Sequence, residues 1–307
     1  MDGLEMKMKM EGKPMKIKGL TMSIIFQAES ANYGETIGNV ASLKKISRGK
    51  GYQHTYISRQ ALRYNIVNQM GVDNTEIEAD KTVLQFAPKA TIDKHPEIDL
   101  FGYMKTTKEQ KTRSAVVRLS NAISLESFKG DLDFLTNKGL YDRYIKQENK
   151  SDAVKGGSIA QSEIHRSYYA YTLSIDLDKI GIDENDDIEI ENAEKADRIV
   201  NLLDTIRFLY RDIKGRREDL KPLFVIGGTY DIKNPIFHNA LDVKNNRIDI
   251  DRIKDVLYED VRGDTYCGLI KGVFDNDNEV IKELGAKSMP EYFETIKGKV
   301  KDYYESN

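Results

Sequence analysis

Apolar positions in this chain change period several times, and each change marks an element. Lys16 to Gln27 reads as a strand, with Ile17, Leu20, Met22, Ile24, Ile25 and Phe26 apolar and Pro14 just before it. A small-residue turn from Ala28 to Gly34 follows. Thr55-Tyr56-Ile57 reads as extended chain. Ser58 then stands where an N-cap belongs, since its hydroxyl can accept from a free amide of a first helical turn. Ala61, Leu62, Ile66, Val67 and Met70 recur at helical spacing behind it, and Gly71 supplies the stop. Ser114 to Ile123 reads as a second strand. In Ser167 to Leu177, Tyr169, Tyr171, Leu173, Ile175 and Leu177 alternate with smaller or polar residues and predict a third. Glu194 to Ile213 reads as one long helix ending at Gly215. Leu223 to Thr229 is expected to be the last core strand. Helices are expected near 251–258, 278–284 and 291–303.

Taken in order, the principal elements are strand, helix, strand, strand, helix, strand. That is the βαββαβ order of an α+β, ferredoxin-like or RNA-recognition-motif fold. The stretches 71–113 and 124–164 are too long for ordinary connections and are expected to be insertions with a job. Within 71–113, Thr82 to Phe86 reads as a short strand and Leu100 to Met104 as an apolar turn. Residues 124–164 read as an exposed hairpin or arm. In such a fold, the open face of the sheet and the first strand–helix loop are natural places for single-stranded RNA.

Charge sharpens this picture. The net charge over 307 residues is only −3, yet Thr36 to Val72 contains no Asp or Glu. It does contain Lys44, Lys45, Arg48, Lys50, Arg59 and Arg63, with His54 among them. Such a run repels itself unless an outside anion neutralises it. Arg59 and Arg63 share a helix face near the N-terminus, where the macrodipole disfavours cations and favours a phosphate. Tyr33, Tyr52, Tyr56 and Tyr64 lie in or beside the run and offer rings for packing or base stacking. The counterpart is an acidic block at Asp183-Glu184, Asp186-Asp187, Glu189 and Glu191, expected to be a solvated loop.

Composition narrows the class. A hydrophobic fraction of 39% and one cysteine, Cys267, fit a disulfide-free chain of a reducing cytoplasm. No stretch is long and apolar enough to span a bilayer. Residues 1–14 are expected to be a flexible leader. Metal-ligand spacings such as Cys-x-x-Cys and His-x-x-x-His do not occur, and Gly156-Gly157 lacks the lysine of a P-loop. His54, His95, His165 and His238 are scattered. No catalytic residue, metal site or cofactor is expected.

Several segments then resemble one family. They are Ile17-Lys18-Gly19-Leu20-Thr21, Ala28-Glu29-Ser30-Ala31-Asn32-Tyr33-Gly34, Tyr56-Ile57-Ser58-Arg59-Gln60-Ala61-Leu62-Arg63 and Asp99-Leu100-Phe101-Gly102-Tyr103-Met104. Arg113 to Ile123 and Arg166-Ser167-Tyr168-Tyr169-Ala170-Tyr171 continue the series. Together they resemble the DevR family of CRISPR-associated proteins, the repeated backbone subunit of type I-B Cascade, over roughly 15–230.

The resemblance implies an RNA-recognition-motif palm with inserted fingers within 71–113 and a thumb within 124–164. It implies polymerisation along a CRISPR guide RNA (crRNA), with phosphates held and bases left free to pair with target DNA. The implied partners are the guide, target DNA through the guide, further copies of the chain and other Cascade subunits, with no membrane. The residues expected at the RNA are Asn32 and Tyr33 in the first loop, and Lys44, Lys45 and Arg48 in the basic run. Ser58, Arg59, Gln60 and Arg63 follow at the helix start, Tyr103 and Met104 in the apolar turn, and His165 and Arg166 at the root of the arm. Backbone subunits of type III complexes cut target RNA with an acid in the first loop and a metal, and the alternative function is that endoribonuclease. Here that loop offers Glu29 and Glu35. A single-strand-binding protein working alone is the third reading.

Overall fold

A computed structural model describes residues 19–80, 82–106, 110–148 and 159–306. The expected leader at 1–14, the start of the first strand at 16–18 and Gly156-Gly157 lie outside these. The chain forms a mixed α+β fold. Its main sheet is antiparallel and runs in the order Thr265–Leu269, Phe224–Tyr230, Gly19–Ala28, Ser167–Asp176, Ala122–Ser124, Tyr52–Ile57, Lys45–Arg48, with Val117–Leu119 also paired to Ser167–Asp176. The four strands expected from sequence stand in the spatial order fourth, first, third, second. Gly19–Ala28 is the spine, paired along its whole length from Gly19 opposite Asp176 to Ala28 opposite Ser167.

Period two decides what each face buries. Leu20, Met22, Ile24 and Phe26, with Tyr169, Tyr171, Leu173 and Ile175, face helices Arg59–Met70, Asn192–Ile206 and Met289–Glu305. The opposite face is not open as expected. Ile25, Phe224 and Ile226 carry a second core built from Phe237, Ile248, Ile253, Phe274 and Val280, and Asn234 O accepts from Thr21 on the same side. The C-terminal segment therefore covers the sheet surface where RNA was expected to lie.

Three further expectations are corrected. The long helix stops at Ile206, and Tyr210–Ile213 pairs with Arg216–Asp219 as a hairpin. Gly215 serves that hairpin's turn, where Lys214 and Gly215 both have positive φ, at 47° and 76°, the pair a type I′ turn demands. Phe224–Tyr230 is not the last core strand, because the short Thr265–Leu269 adds at the edge. The acidic block is a solvated loop only in part, with Glu184, Asp187, Glu189 and Glu191 exposed. Asp183 accepts from Tyr103 Oη at 2.8 Å and Asp186 pairs with Lys111 at 2.6 Å, so it docks on the Tyr103–Thr106 and Gln110–Arg113 hairpin.

The second expected strand is broken at the point that matters for the site. Ser120 takes over the ladder: its N–H donates to Thr172 O, and its Oγ accepts from Thr172 N, both at 2.9 Å. The ladder survives the irregularity, and Asn121 is left to project toward the Arg59–Met70 helix. Within 124–164, Asp131–Thr136 pairs antiparallel with Ile159–Ile164, and helix Lys138–Glu148 lies between them in sequence. The pair is anchored at its base, where Ile159–Ile164 pairs in parallel with Val40–Leu43.

Candidate nucleic-acid interface

The helix that opens at Arg59 is fixed by three side chains from three segments. Ser58 is the N-cap, with φ −66° and ψ 149°, and its Oγ accepts from Ala61 N. Asn32 Oδ1 accepts from Ser58 N at 2.7 Å, and Asn121 Oδ1 accepts from Arg59 N at 2.9 Å. Among the described residues, Gln60 is left as the first-turn amide with no acceptor. No acidic residue lies in the first turn.

Three adjoining clefts pass this helix start. The first, about 640 Å³, is walled by Lys44, Tyr56, Arg59, Gln60 and Asn121. The second, about 390 Å³, shares Arg59 and Gln60 and adds Arg63, Phe101 and Arg118. The third, about 460 Å³, shares Arg63 and Phe101 and continues to Leu84 and Met104. The groove thus begins cationic and ends apolar. Lys44 and Arg59 are exposed and form no ion pair with any described residue. Arg48, opposite Tyr52 in the hairpin, lies two residues from Ile46 and four from Lys44, so it projects from the same hairpin face. Tyr52 on that face is 62% exposed.

The family model described as CRISPR-associated negative auto-regulator DevR/Csa2 matches residues 20–251. The chain belongs to the DevR/Csa2 family. Its fold is similar to a chain of a solved structure described as a CRISPR RNA-guided surveillance complex, pre-nicking. The TM-score is 0.62 at 11% identity, covering 92% of this chain and 100% of that one. A second, described as a CRISPR RNA-guided surveillance complex, gives 0.57 at 14% identity, covering 91% and 98%. No curated protein matches significantly.

In this DevR/Csa2 chain the sequence-predicted residues divide. Lys44, Ser58, Arg59, Gln60, Arg63 and Met104 are brought together along the groove, although the Ser58 hydroxyl is occupied as a cap. Met104 is half exposed at its apolar end. Arg63 is partly compromised. Its guanidinium lies 3.6 Å from Glu97 and 5.1 Å from the Phe101 ring centre. Burial pulls its pKa below the ordinary arginine value while Glu97 works the other way.

Others serve the fold instead. Lys45 is neutralised by Glu163 at 2.5 Å and lies over the Phe128 ring; the counter-charge missing from its own segment comes from the arm. Tyr33 donates to Glu163 O, and Lys214 covers its ring. Tyr103 is buried, bonded to Asp183 and Asn185, with its pKa pushed up by burial. His165 is a core histidine bonded to Thr55 Oγ1 at 2.7 Å, and burial holds its pKa below the usual value. Asn32 acts through the helix rather than in the groove. Arg166 bonds Gln27. It precedes Thr172 by six strand residues, about 20 Å at the usual rise, and so stands apart from the groove.

Sequence reasoning missed Asn121 and Arg118 as groove residues. Arg118 lines the second cleft and is held by Asp176 at 2.9 Å. The signal was in the expected strand itself, where Arg118, Ser120 and Asn121 interrupt the apolar positions. Of the two acids offered for the alternative function, Glu35 is exposed. Glu29 is paired with Arg216 at 2.8 Å, and the described residues contain no group of three His, Cys, Asp or Glu side chains able to hold a metal. None of the described helices is long and apolar enough to cross a membrane.

Proposed function

We propose that this protein is a non-catalytic, guide-RNA-binding backbone subunit of a type I-B CRISPR surveillance complex, repeated along the guide in the cytoplasm. The observation that carries it is the groove at the Arg59 helix, with Lys44 and Arg59 unpaired among the described residues, in a chain of the DevR/Csa2 family. A guide must be held whatever its sequence, so contacts belong on phosphate and sugar. Target recognition is then left to base pairing with DNA.

The fourth-first-third-second strand order supports a ferredoxin-like, RNA-recognition-motif palm. The hairpins Ile77–Asp80 with Val83–Phe86 and Tyr103–Thr106 with Gln110–Arg113 support fingers at about 71–113. The arm at about 124–164 is the thumb, and exposed Leu132, Phe134 and Leu135 suit it to contact another subunit. Lys44, Arg48, Arg59, Gln60 and Arg63 hold phosphates, and Met104 packs against the guide.

The test is the size and nucleic-acid content of the protein purified from cells that make a guide. Co-purifying RNA, in a particle of several copies with partner subunits, is expected. A monomer free of RNA, with no affinity for single-stranded RNA, would overturn the proposal. Incubation of the assembled complex with complementary RNA and a divalent cation is expected to leave the RNA whole.

A further inference from the structure

The loop at 29–32, between the first strand and the strand Tyr33–Ile37, is clamped from a distant part of the chain. Glu218 lies on the Arg216–Asp219 strand, and its side chain is 9% exposed. Its Oε1 accepts from Glu29 N at 3.1 Å and Ser30 N at 2.9 Å. Its Oε2 accepts from Arg211 Nε at 2.8 Å and Nη2 at 2.7 Å. Arg216, on the same strand, holds the Glu29 carboxylate and the Ser30 hydroxyl. Ser30 and Ala31 are completely buried. The next residue, Asn32, binds both cationic walls of the groove. Its carbonyl accepts from Lys44 N at 2.7 Å, and its side chain accepts from Ser58 N.

We propose that Glu218 is a positioning residue for the polyanion grip: with Arg211 it fixes the 29–32 loop, and through Asn32 it sets the spacing between Lys44 and Arg59. This rests on the RNA-binding function above. A pair buried merely for stability has no need to face two loop amides, and a buried carboxylate that lost them would be left poorly satisfied. Two latches in series, Glu218 on the loop and Asn32 on the helix, act as one unit. Their loss is therefore non-additive.

The test uses the full-length protein, poly(U) as probe, and the variants Glu218→Ala, Asn32→Ala and the double. Each single variant is expected to weaken poly(U) binding roughly three- to tenfold. The double is expected to be no weaker than the worse single. Amide exchange at Ser58 and Arg59 should quicken in both singles more than in the Gly19–Ala28 strand, whereas a simple loss of stability would quicken both alike. If Glu218→Ala fails to fold because Arg211 is left unpaired, the paired change Glu218→Leu with Arg211→Met removes both buried charges and carries the same expectation. Unchanged affinity and unchanged Ser58 exchange in folded variants, beside a wild type that binds, would overturn the positioning role alone. A wild type that does not bind poly(U) would overturn the RNA-binding function beneath it.

Discussion

Replacing Arg59 by Ala removes a guanidinium that lines the groove and that no described carboxylate neutralises. The side chain is exposed, so stability should change by no more than about 0.5 kcal/mol. Binding is another matter. Each phosphate neutralised on a single strand contributes about 0.7 to the slope of log K against log salt. If the contact acts only through counterion release, its loss weakens binding about eightfold at ~50 mM salt and about threefold at ~200 mM. Fluorescence anisotropy with two unrelated labelled RNAs across that salt range would measure it. Both RNAs should weaken alike, and the variant's line should be flatter than the wild type's. Arg63→Ala should flatten the line less, since Arg63 must first exchange Glu97 for phosphate. Glu97→Gln should act with the opposite sign, tightening binding and steepening the line. An Arg59→Ala line parallel to the wild type's would refute a phosphate track at this helix.

Glu163→Ala removes the acceptor of Leu43 N at 2.7 Å and the partner of Lys45. It should cost about 2 kcal/mol in urea unfolding, whereas Lys45→Ala should leave the RNA salt slope unchanged. His165 has a folded pKa below its ordinary 6.5 because it is buried. The unfolded chain therefore binds more protons as pH falls through that value. Stability should be full above about pH 6.5 and decline below it, and His165→Gln should remove the part of that decline it causes, as read from thermal midpoints. Met104→Ser should weaken RNA binding a few-fold at every salt concentration without altering the slope, because a half-exposed thioether offers contact area and no charge.

The helix at 59–70 was legible to the residue, because Ser58 and Gly71 mark both ends and both act as caps. The main strands were legible wherever apolar residues alternate. The misses have common causes. Tyr210–Ile213 continues an apolar helical pattern, and only the Lys214-Gly215 turn betrays the hairpin. Thr265–Leu269 is too short and too mixed to read alone. The covered sheet face and the docked acidic block depend on contacts between segments far apart in sequence, which periodicity does not carry. The site shows the same limit. A cation's residue type says that it is charged, while its partner decides whether it is available. Lys45 and Lys44 are adjacent and chemically identical, yet one faces Glu163 and the other faces the groove.

That division of the cations bears on how the protein works. With Lys45 and, in part, Arg63 committed internally, the groove offers few free charges to a polyanion. Its own affinity for a single strand must be modest and sensitive to salt. Few strong contacts per copy suit the proposed function, in which copies stand in a row and each neighbour raises the effective concentration of the next. The rigid parts are those that set spacing: the clamped 29–32 loop, the two asparagines at the helix start and the Ser120 bridge. In a repeated subunit, an error in spacing accumulates along the strand, whereas a weak contact does not. The groove is accordingly exact in its backbone and sparing in its charge.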